Sequence, residues 1–407
     1  MKIKPHNIAA LLGISLLLVQ CEHNVVAPDN RIFRELTSFE KQLVASDNRF
    51  GLKLFREVAQ QRKNENVFIS PLSVAMALGM TLNGASGETY EAMQNTLELA
   101  GLSQEEINQS YQSLIALLMQ LDPRVEFQIA NSIWHRQEMI FEQDFIDRNK
   151  TYFNASVRGV DFDAPATLNL INAWVNDNTR GRIPQIIDEI KPEHVMFLIN
   201  AIYFKGTWTY RFDPAQTKDD WFTTASGAQQ ACKMMHQKAG LHRFYSNQAF
   251  QAIDLPYGDA GFSMTILLPN HGISLDSLIS AFSPENWAAW MNGFTQQELA
   301  LAMPRFKLTF DMMLNEILKK MGMAIAFTEA ADFSAMYQPG GVLISEVKHK
   351  TFVEVNEEGT EAAAATSVGF SVVSAPPEFR IDRPFLFAIR DSHSQTLLFI
   401  GKMESLQ

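Results

Sequence analysis

Nine histidines and two cysteines are the side chains in this 407-residue chain best suited to nucleophilic or metal chemistry. Their spacing supports neither. His236 and His242 stand six apart, which fits neither one helix face nor a usual ligand pair. Both read as surface or packing residues. No H-E-x-x-H pattern occurs, and no pair of cysteines could hold zinc. Gly84-Ala-Ser-Gly87 is one residue short of a nucleophile elbow. No phosphate-binding glycine loop is present. Cys232 reads as a packed structural thiol. The expectation is a protein that is not an enzyme, with no metal and no cofactor.

A different chemistry, the making of backbone hydrogen bonds, is suggested by Glu357-Glu358-Gly359-Thr360-Glu361-Ala362-Ala363-Ala364-Ala365-Thr366. Residues on a strand alternate faces. One face carries Thr360, Ala362, Ala364, Thr366, Val368, Phe370 and Val372; the other carries Glu361, Ala363, Ala365, Ser367, Gly369 and Ser371. The first is small and then apolar, the second acidic, small and polar. That is the period of a half-buried strand. Yet Gly359 and four alanines are poor strand formers, and Pro376-Pro377 stops pairing just beyond. An alanine-rich helical turn is the plain alternative. The sharper reading is a strand not yet in a sheet, held in a mobile loop built to enter one.

Glu357 to Thr366 resembles the hinge of the serpins, protease inhibitors that trap their targets by loop insertion. Other segments carry the same likeness: Asn66-Val-Phe-Ile-Ser-Pro-Leu-Ser73, Thr81-Leu-Asn-Gly-Ala-Ser-Gly-Glu88, Trp174-Val-Asn-Asp-Asn-Thr-Arg-Gly181, Asn200-Ala-Ile-Tyr-Phe-Lys-Gly-Thr-Trp208, Ala331-Asp-Phe-Ser334, Arg383-Pro-Phe-Leu-Phe-Ala-Ile389 and Leu398-Phe-Ile-Gly-Lys402. They run in one order from about Phe33 to Met403. The resemblance implies an α+β serpin fold: a large mixed β-sheet, surrounding helices, smaller sheets and an exposed reactive loop over about 357–380. It implies a suicide-substrate inhibitor of serine endopeptidases.

Counted on the family's spacing, the reactive bond falls at Val373-Ser374. Valine there suits an elastase-like protease with a small apolar pocket. Between Gly359 and Phe379 no Lys or Arg occurs, which argues against trypsin-like targets. Phe370 is the rival, for a chymotrypsin-like enzyme. Papain-like cysteine proteases and a non-inhibitory carrier role are further alternatives, and an unrelated hydrolase a remote one. Gly359 to Val373 would span about 50 Å as a strand, close to the diameter of a body of this size. The family's control points map onto Trp208 at the breach, onto Asn200, Ser70, Ser73 and His349 as a latch, and onto the pair Glu357 and Arg305. The segment Gln104 to Gln120 should be the fourth helix, with Tyr111, Leu114, Leu117 and Leu118 on its core face. No Lys or Arg lies between Glu88 and Pro123, so heparin activation through that helix is not expected.

Composition fits a folded body positioning this loop. Hydrophobic residues make up 46%, with 29 Phe and 18 Met, which excludes disorder. The net charge of −11 argues against nucleic acid and anionic membranes as partners. No linker or repeat divides the chain, so residues 33–407 read as one domain and a monomer. Lys2 and Lys4 precede an apolar run from Ile8 to Val19, the pattern of a secretion signal over 1–20. Leu18-Val-Gln-Cys21 resembles a bacterial lipobox, with Gln20 departing from its usual small residue. Cys21 would then carry lipid, residues 21–32 would form the tether, and the body would be exported to an outer membrane or cell surface. Cys232 would be left without a disulfide partner, which a large core tolerates.

Overall fold

The computed structural model describes residues 33–360 and 377–406. Several of its helices begin at side-chain caps. Thr37 and Glu40 cap α1 (Ser38–Gln61) reciprocally. Ser70 caps α2 (Pro71–Leu82), whose proline occupies the first turn, where no N–H is missed. Ser86 precedes α3 (Gly87–Thr96). Ser103 and Glu106 form a second capping box on α4 (Gln104–Gln120). Then follow α5 (Gln143–Phe153), α6 (Pro165–Asn178), α7 (Leu275–Ser280) and α8 (Pro284–Asn292). On α4, Tyr111, Leu114 and Leu118 are buried as expected; Leu117 is only half-buried, and Ile107 and Ile115 complete the core face.

Fifteen strands alternate with these helices among the described residues. In chain order they are β1 (Val67–Ile69), β2 (Val125–Arg136), β3 (Ser156–Val160), β4 (Met196–Thr207), β5 (Lys218–Thr223), β6 (Gln229–Ser246), β7 (Phe250–Tyr257), β8 (Phe262–Pro269), β9 (Thr295–Pro304), β10 (Phe306–Met313), β11 (Lys348–Asn356), β12 (Gly359–Thr360), β13 (Glu378–Arg380), β14 (Phe385–Asp391) and β15 (Leu397–Met403).

Two mixed sheets result. The larger has the order β1-β15-β14-β8-β7-β6-β9-β13, with β5 also on β6. The long β6 makes this possible: its first part pairs with β5 and its last part with β7. The smaller, six-stranded sheet has the order β10-β11-β12-β4-β2-β3. Its parallel contact is β2 with β3. The sheet that carries the hinge is therefore the smaller of the two. The helix α6 lies on its β2 and β4 strands, with Ile171 and Val175 packed in one core with Trp134 and Ile199. From the other side α2 packs against β4. No helix among the described residues is long and apolar enough to cross a membrane.

Candidate functional site: a hinge at the head of a slot

Gly359 and Thr360 already lie in the six-stranded sheet. Thr360 sits opposite Gly206 of β4 and Val355 of β11, antiparallel to both. This corrects the expectation of a strand wholly outside a sheet. Only glycine fits at 359: its φ is +149°, and a Cβ there would lie 2.0 Å from the Gly206 carbonyl oxygen. Gly206 is bare for a related reason, since its Cβ would meet the Tyr257 ring at 2.8 Å. The Thr360 side chain is buried, with Oγ1 2.9 Å from the Tyr257 hydroxyl.

Beyond these two residues the ladder stops. Among the described residues β4 and β11 share no direct pairing. A void separates them, lined by Asn200 and Ile202 of β4, His349 and Thr351 of β11, and Ser73 and Ala77 of α2. The facing edges of both strands are thus open to an added strand.

Trp208 closes the head of this slot. Its ring stacks on Tyr257 at 4.4 Å between centroids, and its Nε1–H donates to the Asn356 carbonyl at 2.9 Å. Its backbone N–H donates to the Glu358 carbonyl at 2.7 Å. Glu357 is anchored by Arg305, whose Nε donates to Oε1 at 2.7 Å, and by the Thr217 hydroxyl. Burial pushes the Glu357 carboxyl up, but these donors more than offset it and hold the group below its ordinary value.

The polar cluster is only partly joined. His349 Nε2 accepts the Ser70 backbone N–H at 3.0 Å, and burial pushes its pKa down to about 4, so the ring is neutral. The Ser70 hydroxyl donates to the Leu398 carbonyl at 2.8 Å. The Ser73 hydroxyl reaches the Asn200 carbonyl at 3.4 Å. The Asn200 side chain does not bond to His349. It turns to Asn131, donating to Oδ1 at 2.8 Å, and its own Oδ1 has no partner. Three contributors were missed in the sequence: Tyr257, Asn131 and Thr217. They sit in ordinary strand or loop contexts and carry no local signal. Glu361, Ala362, Ala363, Ala364, Ala365, Thr366, Val373, Ser374 and Cys21 lie outside the described residues. Cys232 is free and half-buried.

Residues 45–406 match the family model described as "Serpin (serine protease inhibitor)". The chain is a serpin. This family is one of protease inhibitors rather than catalysts. Human serpin B8 is 34% identical over 373 residues, covering 89% of this chain and 99% of the relative. The leukocyte elastase inhibitor of Bos taurus is 34% identical over 381 residues, covering 90% and 100%. Among solved structures, the thermophilic serpin Tengpin in its native state superposes with a TM-score of 0.82 at 31% identity, covering 92% of this serpin and 96% of that chain. Human thyroxine-binding globulin complexed with thyroxine superposes at 0.83 and 27% identity, covering 91% and 100%.

Proposed function

We propose that this serpin is a suicide-substrate inhibitor of elastase-like serine endopeptidases, and that Val373-Ser374 is its reactive bond. The protease's serine attacks Val373, the acyl-enzyme forms, and Ser374 becomes a free amine. The loop then enters the slot before water can cleave the ester. The observation that carries this reading is the two-residue strand β12 already lodged at the head of an unfilled slot.

Continuing its register gives the expected product. Each further loop residue advances one position as β4 runs back from Gly206 and β11 runs back from Val355. Ala362 would come opposite Phe204, a large core ring, which explains the need for a small side chain. Thr366 would come opposite both Asn200 and His349. Its hydroxyl would then lie beside the Asn200 oxygen that now lacks a partner. In this reading Trp208, Glu357 and Arg305 fix the breach, and Ser70, Ser73, Asn200 and His349 form the latch.

The leukocyte elastase inhibitors among the relatives support the target class. The likeness to thyroxine-binding globulin favours the second reading, a carrier that leaves its loop out of the slot. Thr360→Arg separates the two. An unpaired charge at this buried position costs several kcal/mol. The variant should be cleaved in its loop while the elastase stays active, whereas the parent forms an SDS-stable complex. An unchanged yield of complex from Thr360→Arg would remove the insertion mechanism.

The sequence further supports export, with residues 1–20 removed, Cys21 lipidated and 21–32 acting as a tether. Metabolic labelling with a radioactive fatty acid, lost in Cys21→Ser, is the expected result.

A further inference from the structure

The stretch that covers the slot is held differently along its two sides. Residues 179–195 run from α6 to β4 with neither helix nor strand. Ile183, Ile186 and Ile187 of this strap line the void on the side where α6 lies. Toward β2 and β4 the ties are hydrogen bonds and apolar packing. The Asn172 side chain of α6 accepts the N–H groups of Ile186 and Ile187 at 2.9 and 3.0 Å and donates to the Ile187 carbonyl at 2.8 Å. Arg136 of β2 donates to the carbonyls of His194 and Pro192 at 2.8 and 3.0 Å. Ile183 and Ile187 share the core of Trp134 and Ile199.

Toward β11 the ties are ionic. Lys191 Nζ stands 2.7 Å from Oε1 of Glu346, just ahead of that strand. Lys348 Nζ pairs with Asp188. Arg182 stands 3.5 Å from Glu354 and lies over the Phe352 ring at 5.0 Å. Freeing the first side would expose buried isoleucines and leave Asn172 without its partners, both costly. Freeing the second exchanges partly exposed ion pairs for water, which costs little.

A strand added between β4 and β11 would hold them about 10 Å apart. Half of its side chains would point at the strap and would meet Ile183, Ile186 and Ile187. Past the position opposite His349, it would come beside Lys348 and then Glu346, the residues that hold the strap on that bank. We propose that the strap is an ionic clasp over the slot: its β11 edge opens to admit a strand while α6 and the β4 edge stay seated, so these ion pairs set the rate of entry. This rests on the insertion reading above and adds to it which edge yields and what holds it.

A synthetic peptide with the sequence of residues 361–373, blocked at both ends, is the probe. Its uptake by the full chain is timed by native mass spectrometry. Lys348→Met and Asp188→Asn should each take it up about two- to fivefold faster than the parent, the range expected for single ion pairs. Together they should do no more than either alone, because they share one pair. The first variant makes the chain more negative and the second less so, so an effect of the overall field would move the two rates in opposite directions. Asp188, with its side chain 65% exposed, keeps the test open if Lys348→Met fails to fold. At about 1 M salt, where screening acts within about 3 Å, the parent should approach the variants. Rates equal in the parent and both variants, or shifted in opposite directions, would overturn the clasp and leave the slot reading standing. No uptake by any of the three would overturn the insertion reading, and the clasp with it.

Discussion

Asp47 on α1 is buried, and its one partner is the Tyr111 hydroxyl, 2.8 Å from Oδ1. Oδ2 has none. Burial raises the carboxyl to about 7, with the Tyr111 hydrogen bond opposing this. The stability that comes with the protonated form is complete below the ordinary carboxyl value of about 4 and is lost as pH rises through 7. His349 has the opposite slope. Its pKa is depressed to about 4, so its contribution is complete above about 6.5 and is lost as pH falls through 4. Asp47→Asn should therefore melt higher than the parent at pH 8 and show no gain at pH 4. A melting series over pH 4 to 8 checks both limbs; a gain of the same size at pH 4 would contradict the assignment to Asp47. Specificity is also a residue-scale matter. Val373→Arg offers a cation to an acidic primary pocket and should weaken elastase inhibition while creating trypsin inhibition. Mass spectrometry of the released fragment fixes the register. A fragment starting at Ser374 is expected; one starting at Ser371 would move the bond to Phe370.

At the scale of elements, β4 and β11 are held apart by a strand only two residues long. The register of β12 makes Thr366 the residue that would meet both Asn200 and His349. Thr366→Val keeps the shape and removes the hydroxyl, leaving Asn200 Oδ1 buried and unpaired after insertion. An orphaned polar group of this kind costs about 1–3 kcal/mol. The cleaved Thr366→Val protein should melt lower than the cleaved parent, while the two uncleaved forms, in which that oxygen is unpaired alike, should melt together. Equal melting of the cleaved forms would refute the extrapolated register. Much of this arrangement was legible in the sequence. The alternation put Thr360 on the inward face, and there it is buried; the positions beyond it lie outside the described residues. The helix expected over Gln104 to Gln120 stands there as α4. Less was legible where contacts come from afar. Tyr257 lies over a hundred residues from Thr360, and no local pattern joins them. That Asn200 turns to Asn131 rather than His349 depends on how far apart the sheet stands, which no spacing encodes. His242 read as a surface or packing residue and is buried; a bulge in β6, not the plain period of two, decides where it faces.

The whole molecule has a slot that its own loop would fill. Filling it would add ladder hydrogen bonds and bury Val368 and Phe370. Cleavage of the loop should therefore raise the melting temperature sharply. Intact and cleaved forms that melt alike would favour the carrier reading. On the proposed mechanism, the intact protein would persist only because the route to the filled state is slow, and its working life would be a rate rather than an equilibrium constant. One contact makes the state of the slot visible from outside. Tyr257 belongs to the nine-stranded sheet, yet it stacks on Trp208 and bonds to Thr360 in the six-stranded one. An indole stacked on a phenol inside a dry core emits differently from one whose neighbour has shifted. With the five other tryptophans replaced by phenylalanine, the ultraviolet emission of Trp208 would be a label placed by the fold itself, and its change after mixing with protease would time the loop's passage without any dye.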